Sequence, residues 1–393
     1  MDLGLMPIPN GFASKDELKI PEQKFELACF FCEDCGLVQL TKVVNPIVMF
    51  RNYAYVSAMA NVMMNNFSNL SYGIYKMLKL NKKSLVVDIG SNDGSLLAFF
   101  KNYGARVLGI DPAINLAKIA QMKGIPTECM LFNFNGAIKI VKKYGRAEVI
   151  CATNVIAHID NLHEVMKGIG QLLTTEGAFV TEFPYLLDLV KKNEFDTIYH
   201  EHLSYFSLKP WIRLIESYGF EIISAERLLI HGGSIRLIHR RKKTGKSTHL
   251  KTLDYLISLE ERAGLYSEKT LLDFSSQIEI LKLDLRKLLA DLKKSKKRIV
   301  GYGAAAKGNI LTNYFKIDKK ILDYIVDSTP FKQGLFTPGN HIPIVGEMQF
   351  RNDDVDYALI LAWNFADEII AKEKKFYKNG GKFIIPVPKL RVA

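Results

Sequence analysis

The chain has 393 residues, of which 48% are hydrophobic, 24% charged and 11% aromatic. This length allows two or three domains with separate cores, and the composition is that of a globular protein. No stretch supplies the roughly 18 uncharged apolar residues of a membrane-spanning helix, the N-terminus lacks a signal-peptide pattern, and five cysteines are too few for a disulfide framework. We therefore expect a cytoplasmic protein with reduced cysteines and no membrane partner.

Lysine and arginine outnumber the acidic residues by 53 to 41, a formal net charge of +12. Such an excess can indicate a nucleic-acid or phosphate-bearing partner. Here it lies mostly in short runs such as Lys242-Lys243 and residues 293–298, with no basic stripe interleaved with aromatic residues. We interpret it as a solvated surface and expect no nucleic-acid partner.

Residues 1–75 predict a small, irregular lobe. Pro7, Pro9, Pro21 and Pro46 break any regular element there. A cysteine-containing segment, CFFCEDCGLVQL, lies in the middle.

From Ser84 onward, short apolar strands alternate with helical stretches, which is typical of a parallel α/β sheet. The predicted strands are SLVVDIG, ARVLGID, PTECML, AEVICAT and GAFVTEF. After a polar, aromatic insertion from Pro184 to Trp211, the runs FEIISAERL and SIRLIHRR flank Gly232-Gly233 and predict an antiparallel hairpin. A long helical connector is expected over residues 248–297, and a second α/β unit over the remaining residues.

The first glycine-rich turn, residues 88–94, directly follows a strand and has the spacing D-x-G-x-x-x-G. Glycine lets the backbone approach a ligand closely, and the acid that ends the next strand, Asp111, can bind ribose hydroxyls. The spacing differs from that of dinucleotide-binding turns and suits a ligand without phosphates, namely S-adenosylmethionine (SAM). A plain strand-to-helix turn is the structural alternative. The predicted SAM-binding residues are Asp88, Gly90, Ser91, Asn92, Gly94, Asp111 and Asn154.

The second glycine-rich turn, Gly301 to Asn309, does open like a dinucleotide fingerprint. Its helix N-terminus and Lys307 could hold the pyrophosphate of NAD or of a nucleotide sugar. Asp327 ends the next strand, as a ribose-binding acid would. A turn that only lets a helix pack on the sheet remains the alternative.

The insertion contains Tyr199, His200, Glu201 and His202. A base, an acid and a hydroxyl within four residues suffice for removing a proton next to a carbonyl group. A His-x-His metal site is the competing interpretation, but no third ligand lies nearby in the sequence.

At this point the sequence resembles the SAM-dependent sugar C-methyltransferases of deoxysugar biosynthesis over nearly its whole length. The blocks that carry the resemblance are FFCEDCGLVQL, DIGSNDGSLL, NVIAHIDNL, EFPYLLDLVKKNEFDTIYHEHLSYFS, IHGGSIRL, GYGAAAKGN, DSTPFKQGLFTPGNHIPI and AWNFADEI. It implies a class I SAM methyltransferase domain with a Rossmann-like fold over residues 76–245, a C-terminal Rossmann-like α/β domain over residues 246–393, and a zinc-ribbon-like lobe over residues 1–75. It also implies methylation at C3 of a nucleotide-linked 4-keto-6-deoxysugar, with dTDP as the expected nucleotide and no obligatory protein partner.

The resemblance also assigns site residues. The family's catalytic loop falls on Tyr199, Glu201 and His202, with His158 and Tyr55 in support. We expect His202 to be the base, Glu201 to tune or orient it, and Tyr199 or His200 to donate to the oxyanion, with Glu201 as the alternative base. Expected substrate-binding residues are His200, Arg236, Gly301, Gly303, Lys307, Asn309 and Asn364. The family's lobe usually carries two C-x-x-C pairs, and only Cys32 and Cys35 are present here, because the chain starts at what resembles the stretch after the first pair. Two thiolates, even with Cys29 nearby, do not close a tetrahedral zinc site, so structural zinc is only a candidate.

Two other enzyme classes stay open at the level of sequence. A nucleic-acid amino-methyltransferase would use the positive charge, but the N-P-P-Y-like turn such enzymes carry is replaced by ATNVIAHI. An NAD-dependent sugar-nucleotide oxidoreductase would instead use the second glycine-rich turn, as would a non-catalytic binding module.

Overall fold

The computed structural model describes residues 1–46, 49, 61–243 and 250–393, and the side chain of Asn61 is outside that description. Numbered along the chain, its strands are β1 (Asp2–Pro7), β2 (Lys24–Phe31), β3 (Val38–Leu40), β4 (Leu85–Ile89), β5 (Arg106–Ile110), β6 (Thr127–Glu128), β7 (Ala147–Thr153), β8 (Leu173–Pro184), β9 (Ser204–Tyr205), β10 (Phe220–Leu228), β11 (Ser234–Arg241), β12 (Ile299–Tyr302), β13 (Ile325–Val326), β14 (Ile344–Val345), β15 (Tyr357–Ile360), β16 (Lys382–Ile385) and β17 (Arg391–Val392).

The α-helices in the same part of the chain are α1 (Asn61–Leu78), α2 (Ser95–Asn102), α3 (Ile114–Met122), α4 (Phe134–Tyr144), α5 (Leu162–Leu172), α6 (Leu186–Lys191), α7 (Leu208–Ser217), α8 (Lys251–Arg262), α9 (Glu268–Lys294), α10 (Ala306–Tyr314), α11 (Glu347–Asn352), α12 (Ala366–Lys372) and α13 (Lys374–Lys378). Short 3-10 turns cover Ile156–His158, Phe195–Thr197, Ile230–Gly232 and Trp363–Phe365. No helix among the described residues combines the length and the apolar character needed to span a membrane.

The central sheet has seven strands in the order β10-β11-β8-β7-β4-β5-β6. Strands β4 to β8 run parallel, and β11 pairs antiparallel with both β8 and β10. A parallel sheet closed by an antiparallel hairpin at one edge is the class I methyltransferase arrangement, so the predicted fold class is confirmed. Ligands of such sheets bind beyond the carboxyl ends of the parallel strands.

Helix α1 belongs to this central domain. Its buried face, which includes Phe67, Leu70 and Ile74, packs in one cluster with Val86 of β4 and Leu97 of α2. The expected lobe boundary after residue 75 would cut through this helix. We therefore place the boundary before residue 61, because apolar burial ties α1 to the sheet.

The N-terminal sheet takes its fourth strand from the insertion. Its order is β1-β2-β3-β9, and Val38 pairs with Tyr205 across the last two strands. The insertion therefore links the N-terminal lobe to the methyltransferase domain.

The predicted helical connector consists of two helices, α8 and α9. They are separated at Gly264, whose φ is +62° and therefore left-handed. At the end of α8, the buried carboxylate of Glu260 accepts hydrogen bonds from the Leu208 backbone N–H at 2.9 and 3.1 Å and from the Tyr266 hydroxyl. It thereby satisfies the N-terminus of α7, which has no side-chain cap of its own.

The C-terminal domain is a second α/β unit with six strands in the order β14-β13-β12-β15-β16-β17. All neighbouring strands are parallel except β16 and β17. The second glycine-rich turn connects β12 to α10 at the carboxyl end of this sheet. The predicted Rossmann-like C-terminal domain is confirmed.

Candidate active site

The first glycine-rich turn runs between β4 and α2 and adopts left-handed conformations that its sequence permits. Gly90 has φ +70°, Asn92 +50° and Gly94 +77°. A Cβ atom at Gly90 would lie 2.6 Å from Cγ2 of Val155, in the turn after β7. Glycine is therefore required both for the backbone conformation and for the close approach of the two turns.

Two buried carboxylates flank this turn. Asp88 at the end of β4 is 2% exposed, and its Oδ1 has no hydrogen-bond partner among the described residues. Burial, with the nearby charge of Asp111 as a smaller cause, raises the pKa of Asp88 well above its usual value. Asp111 accepts hydrogen bonds from the backbone N–H groups of Asn92 and Ala113, both at 2.8 Å, and burial raises its pKa.

This arrangement fits SAM. A buried carboxylate oxygen without a partner needs a donor, and the ammonium group of SAM is one, while ribose hydroxyls suit a carboxylate held by backbone N–H groups. The Ser91 hydroxyl and the amide oxygen of Asn154 are also buried without partners among the described residues. All the predicted SAM residues thus lie at the carboxyl ends of β4, β5 and β7, and several of their polar atoms are available to a ligand.

His202 lies at the centre of the insertion and is buried. Its Nδ1 is 2.8 Å from the carbonyl oxygen of Thr197. A carbonyl can only accept, so Nδ1 carries the proton and Nε2 is left as the acceptor. The ring centroids of Tyr199 and His158 lie 4.0 and 4.9 Å from that of His202. Burial lowers the pKa of His202 well below its usual value, and that of His158 to about 4, so both rings are neutral at neutral pH.

Glu201 faces the N-terminal lobe. Its Oε1 accepts a hydrogen bond from the side-chain amide of Asn10 at 2.7 Å, and the side chain is buried. The neighbouring Pro9 carbonyl accepts one from the Asn309 amide, also at 2.7 Å. Residues 9–10 thus contact both the insertion and the C-terminal domain. Asn309, expected at a substrate site, is used in this junction.

The structure does not bring His200 into the His202 cluster. Its Nε2 lies 3.4 Å from the carbonyl oxygen of Phe25, and its ring packs against that phenyl ring. It lies instead between the insertion and the N-terminal sheet, a geometry that suits a packing role.

Arg236 is likewise engaged away from that cluster. Its guanidinium binds Glu182 at 2.8 Å, Glu226 at 3.1 Å and the side-chain oxygen of Asn66 at 2.5 Å. Asn66, which hydrogen-bonds both members of the buried Arg236–Glu182 pair, ties α1 to the sheet. The expected contact of Arg236 with substrate therefore has no support in this geometry.

The glycines of the second turn are explained by packing against neighbouring strands. A Cβ at Gly301 would lie 2.8 Å from the Ile325 side chain, and one at Gly303, where φ is +94°, would lie 2.6 Å from Cβ of Ala362. Within the turn, the backbone N–H of Ala304 is already bonded, because it donates to the Asp327 carboxylate at 2.7 Å.

The ammonium group of Lys307 contacts residues outside the second glycine-rich turn. Its Nζ donates to the carbonyl oxygen of His231 at 3.0 Å, lies 3.5 Å from a carboxylate oxygen of Glu194, and lies 4.8 Å from the centroid of the Trp363 ring. The expected pyrophosphate contact of Lys307 is therefore not supported. Asn364, the next residue after Trp363, is half-buried in the same 3-10 turn.

Several buried groups near Lys307 were missed at the level of sequence. The Trp363 N–H donates to Asp196 at 2.6 Å, while the second oxygen of Asp196 and one oxygen of Glu194 have no partner among the described residues. Burial raises the pKa of Glu194 to about 7, and burial with the charge of Lys307 lowers that of His231 to about 4. The polar segment NEFD and the His-Gly-Gly triplet were the only sequence signals for these residues.

Two expectations remain, the supporting role of Tyr55 and the zinc ligands Cys32 and Cys35. Tyr55 lies outside the described residues. Cys32 and Cys35 form a tight turn between β2 and β3, in which the Gly36 N–H donates to the Cys32 carbonyl at 2.8 Å. No group of three metal-ligating side chains lies among the described residues. Two thiols do not fit a tetrahedral structural zinc.

Comparisons with known proteins agree with this architecture. Three family models match: a putative zinc binding domain over residues 1–50, a methyltransferase domain over residues 62–225, and a C-methyltransferase C-terminal domain over residues 229–388. The chain is 34% identical over 392 residues to the C-methyltransferase NovU of Streptomyces niveus, which covers 100% of this chain and 93% of that protein.

Two further similarities cover smaller parts of the chain. The sterol 4-C-methyltransferase strm-1 of Caenorhabditis elegans is 29% identical over 133 residues, 33% of this chain and 38% of that protein. The crystal structure of a SAM-dependent methyltransferase from Anabaena variabilis aligns with a TM-score of 0.39 and 18% identity, covering 48% of this chain and 88% of the other. The full-length relative and the family models show that this chain belongs to the SAM-dependent C-methyltransferases.

Proposed function

We propose that this C-methyltransferase methylates C3 of a nucleotide-linked 4-keto-6-deoxysugar. The observation that carries the proposal is the geometry of His202, whose Nδ1 lies 2.8 Å from the Thr197 carbonyl oxygen, so that Nε2 is left as the proton acceptor. Methylation at carbon needs a carbon nucleophile, and a ketone makes the adjacent C–H acidic enough for such a base. The motifs shared with the sugar C-methyltransferases support the same substrate class.

In this mechanism, Nε2 of His202 takes the C3 proton, and the electron pair of the C–H bond moves onto the C4 oxygen as an enolate. Tyr199, whose ring lies against His202, is placed to donate a hydrogen bond to that oxygen. One well-aimed donor is typically worth about 3 to 4 kcal/mol. SAM, when bound, supplies an already activated methyl group. The chain's own task is to align the sugar carbon with it, where proximity can contribute roughly 7 to 11 kcal/mol.

We assign the nucleotide part of the substrate to the C-terminal domain. A second sheet whose parallel strands end near the insertion supports this placement, since α/β sheets bind ligands at that edge. The nucleotide is expected to be dTDP. A melting temperature that rises with SAM but not with NAD would support a second glycine-rich turn that serves the substrate. Saturable NAD binding at micromolar concentration would instead indicate an oxidoreductase.

The decisive experiment separates proton removal from methyl transfer. In heavy water with S-adenosylhomocysteine, which has no methyl group to donate, the wild-type enzyme should exchange the C3 proton of the ketosugar. His202→Asn keeps an amide N–H for Thr197 but lacks Nε2, so it should abolish exchange and slow methylation by about 10² to 10⁴-fold.

Two variants complete this test. His239→Asn is the matched control, because His239 also hydrogen-bonds a backbone carbonyl through Nδ1, that of Phe179, but lies in the core against Trp211. It should lower stability and leave the exchange rate of the folded enzyme unchanged. If exchange persists in His202→Asn and vanishes in Glu201→Gln, the base is the carboxylate and our assignment of the two roles is wrong.

A further inference from the structure

The turn after β10, residues 230–233, is held by two lysines. Lys307 donates to the carbonyl oxygen of His231 at 3.0 Å, and Lys192 donates to that of Gly232. Each lysine is also paired with a carboxylate. Lys307 lies 3.5 Å from Glu194, and Lys192 lies 2.9 Å from Asp188. We call this segment the His231 turn.

Two residues of the His231 turn, His231 and Gly232, have a positive φ angle. His231 has φ 54° and ψ 22°, a left-handed conformation that is uncommon for a residue with a side chain. At Gly232, where φ is +100°, a Cβ would overlap the carboxylate of Glu194. A disfavoured conformation that the surroundings hold in place is typical of functional sites.

The lysine that holds His231 comes from the C-terminal domain and is itself mostly buried. Its side chain is 15% exposed, and that of Glu194 is 3% exposed. The Trp363 ring covers the ammonium group, and the Trp363 N–H binds Asp196 of the insertion. The C-terminal domain therefore contributes a cation and an indole to the surroundings of the insertion.

The His231 turn is bonded to the insertion that carries the proposed base, because the Tyr185 N–H donates to the Gly233 carbonyl at 3.0 Å and Lys192 donates to that of Gly232. Within the insertion, the ring of His202 lies 4.9 Å from that of His158. The other groups that face His202 are the rings of Tyr199 and Tyr205 and the Thr197 carbonyl.

We propose that Lys307 is a positioning residue of the methyl-transfer site, which holds the backbone of the His231 turn against the insertion so that the His231 imidazole hydrogen-bonds an oxygen of the sugar. This rests on the proposed function only for the identity of the sugar. His231 is neutral at neutral pH and can donate a hydrogen bond to a hydroxyl or carbonyl oxygen. The C-terminal domain then contributes to the chemical step as well as to binding.

The test compares Lys307→Met, Lys307→Arg and His231→Gln in the full-length enzyme with SAM and a nucleotide 4-ketosugar. Lys282→Met is the matched control. Lys282 is 20% exposed, lies 3.3 Å from Glu279 and 4.2 Å from the centroid of the Tyr314 ring, and so has the same kinds of partner at the connector helix.

For Lys307→Met we expect kcat and C3 proton exchange to fall together by about 10- to 100-fold, as for a small misplacement of reacting groups. The KM for the nucleotide sugar should change by less than about threefold. His231→Gln should lower kcat/KM by about tenfold, the scale of one lost hydrogen bond. A raised KM with unchanged kcat in Lys307→Met would instead make Lys307 a phosphate-binding residue, and wild-type kinetics in His231→Gln would also overturn the proposal.

A second readout needs neither substrate nor activity. Burial and the charge of Lys307 lower the pKa of His231. In histidine-labelled enzyme followed by NMR, removing the cation should therefore move the titration of His231 to higher pH in Lys307→Met, whereas Lys307→Arg and Lys282→Met should leave it at the wild-type position. An unmoved His231 titration in a folded Lys307→Met would refute the role of Lys307 at this turn. Because this measurement uses the free enzyme, it remains decisive if the wild-type protein methylates another class of substrate.

Discussion

Asp88 gives the sharpest test of the SAM site, because its carboxylate is buried at a cost that a ligand would relieve. In the free protein it is 2% exposed, has an oxygen without a partner among the described residues, and lies near the charge of Asp111. Asp88→Asn keeps the shape and removes the charge. We expect the variant to be more stable than the wild type without SAM by about 1 to 3 kcal/mol, because the amide has no charge to be buried beside Asp111.

The pH dependence provides the sign check. A native pKa raised above the unfolded value of about 3.9 means that the native state binds the proton more tightly. Wild-type stability should therefore fall as the pH rises from about 4 through the raised native pKa of Asp88, and this fall should be smaller in Asp88→Asn. Denaturant unfolding at pH 4, 6 and 8 measures both effects.

Binding should change in the opposite direction. Loss of a charged hydrogen bond of about 1.5 to 3 kcal/mol would weaken SAM by roughly 10- to 150-fold, which titration calorimetry measures. Asp93→Asn is the matched control, because the equally buried Asp93 pairs with Lys123 at 2.6 Å and accepts from Ser95 at 2.7 Å. That variant should lose stability. An Asp88→Asn protein that is less stable than the wild type, or that binds SAM equally well, would refute the reasoning.

Two further changes test the glycine-rich turn and the contact between domains. Gly90→Ala combines a left-handed conformation with a Cβ 2.6 Å from Val155, so it should lower the free energy of unfolding by about 2 to 5 kcal/mol. The control Gly104→Ala, where φ is also positive but no atom lies within 4 Å, should lower it by only about 1 to 2 kcal/mol. Equal losses in denaturant titrations would contradict the steric clash with Val155. Trp363→Phe removes the hydrogen-bond donor to buried Asp196 and should lower the free energy of unfolding by about 1 to 3 kcal/mol at neutral pH. This loss should shrink in acid as the carboxyl group of Asp196 protonates, and a pH-independent loss would show that only packing matters.

The features that local sequence predicts are those formed by neighbouring residues. Alternating apolar strands and the Gly232-Gly233 pair predicted the parallel sheet and its closing hairpin. Because parallel strands end at one edge, Asp88 and Asp111 were expected together, and the structure has them close enough for their charges to interact.

The remaining features depend on contacts between residues that are far apart in the chain. Lys307 reaches His231, 76 residues away, and Trp363 reaches Asp196, 167 residues away. Glycine in the second turn predicted a ligand, yet Gly303 is needed for packing against Ala362. Sequence pattern cannot separate these reasons, since both require the absence of a side chain.

Glu260 bears on how the substrate enters. Its buried carboxylate joins the end of α8 to the start of α7, so α8 cannot serve as a hinge without separating a buried carboxylate from its hydrogen-bond donors. Rigid-body swinging of the C-terminal domain about that helix is therefore disfavoured. We expect the nucleotide sugar to be admitted by rearrangement of short segments at the cleft, and crystals grown with and without it to share one interdomain angle.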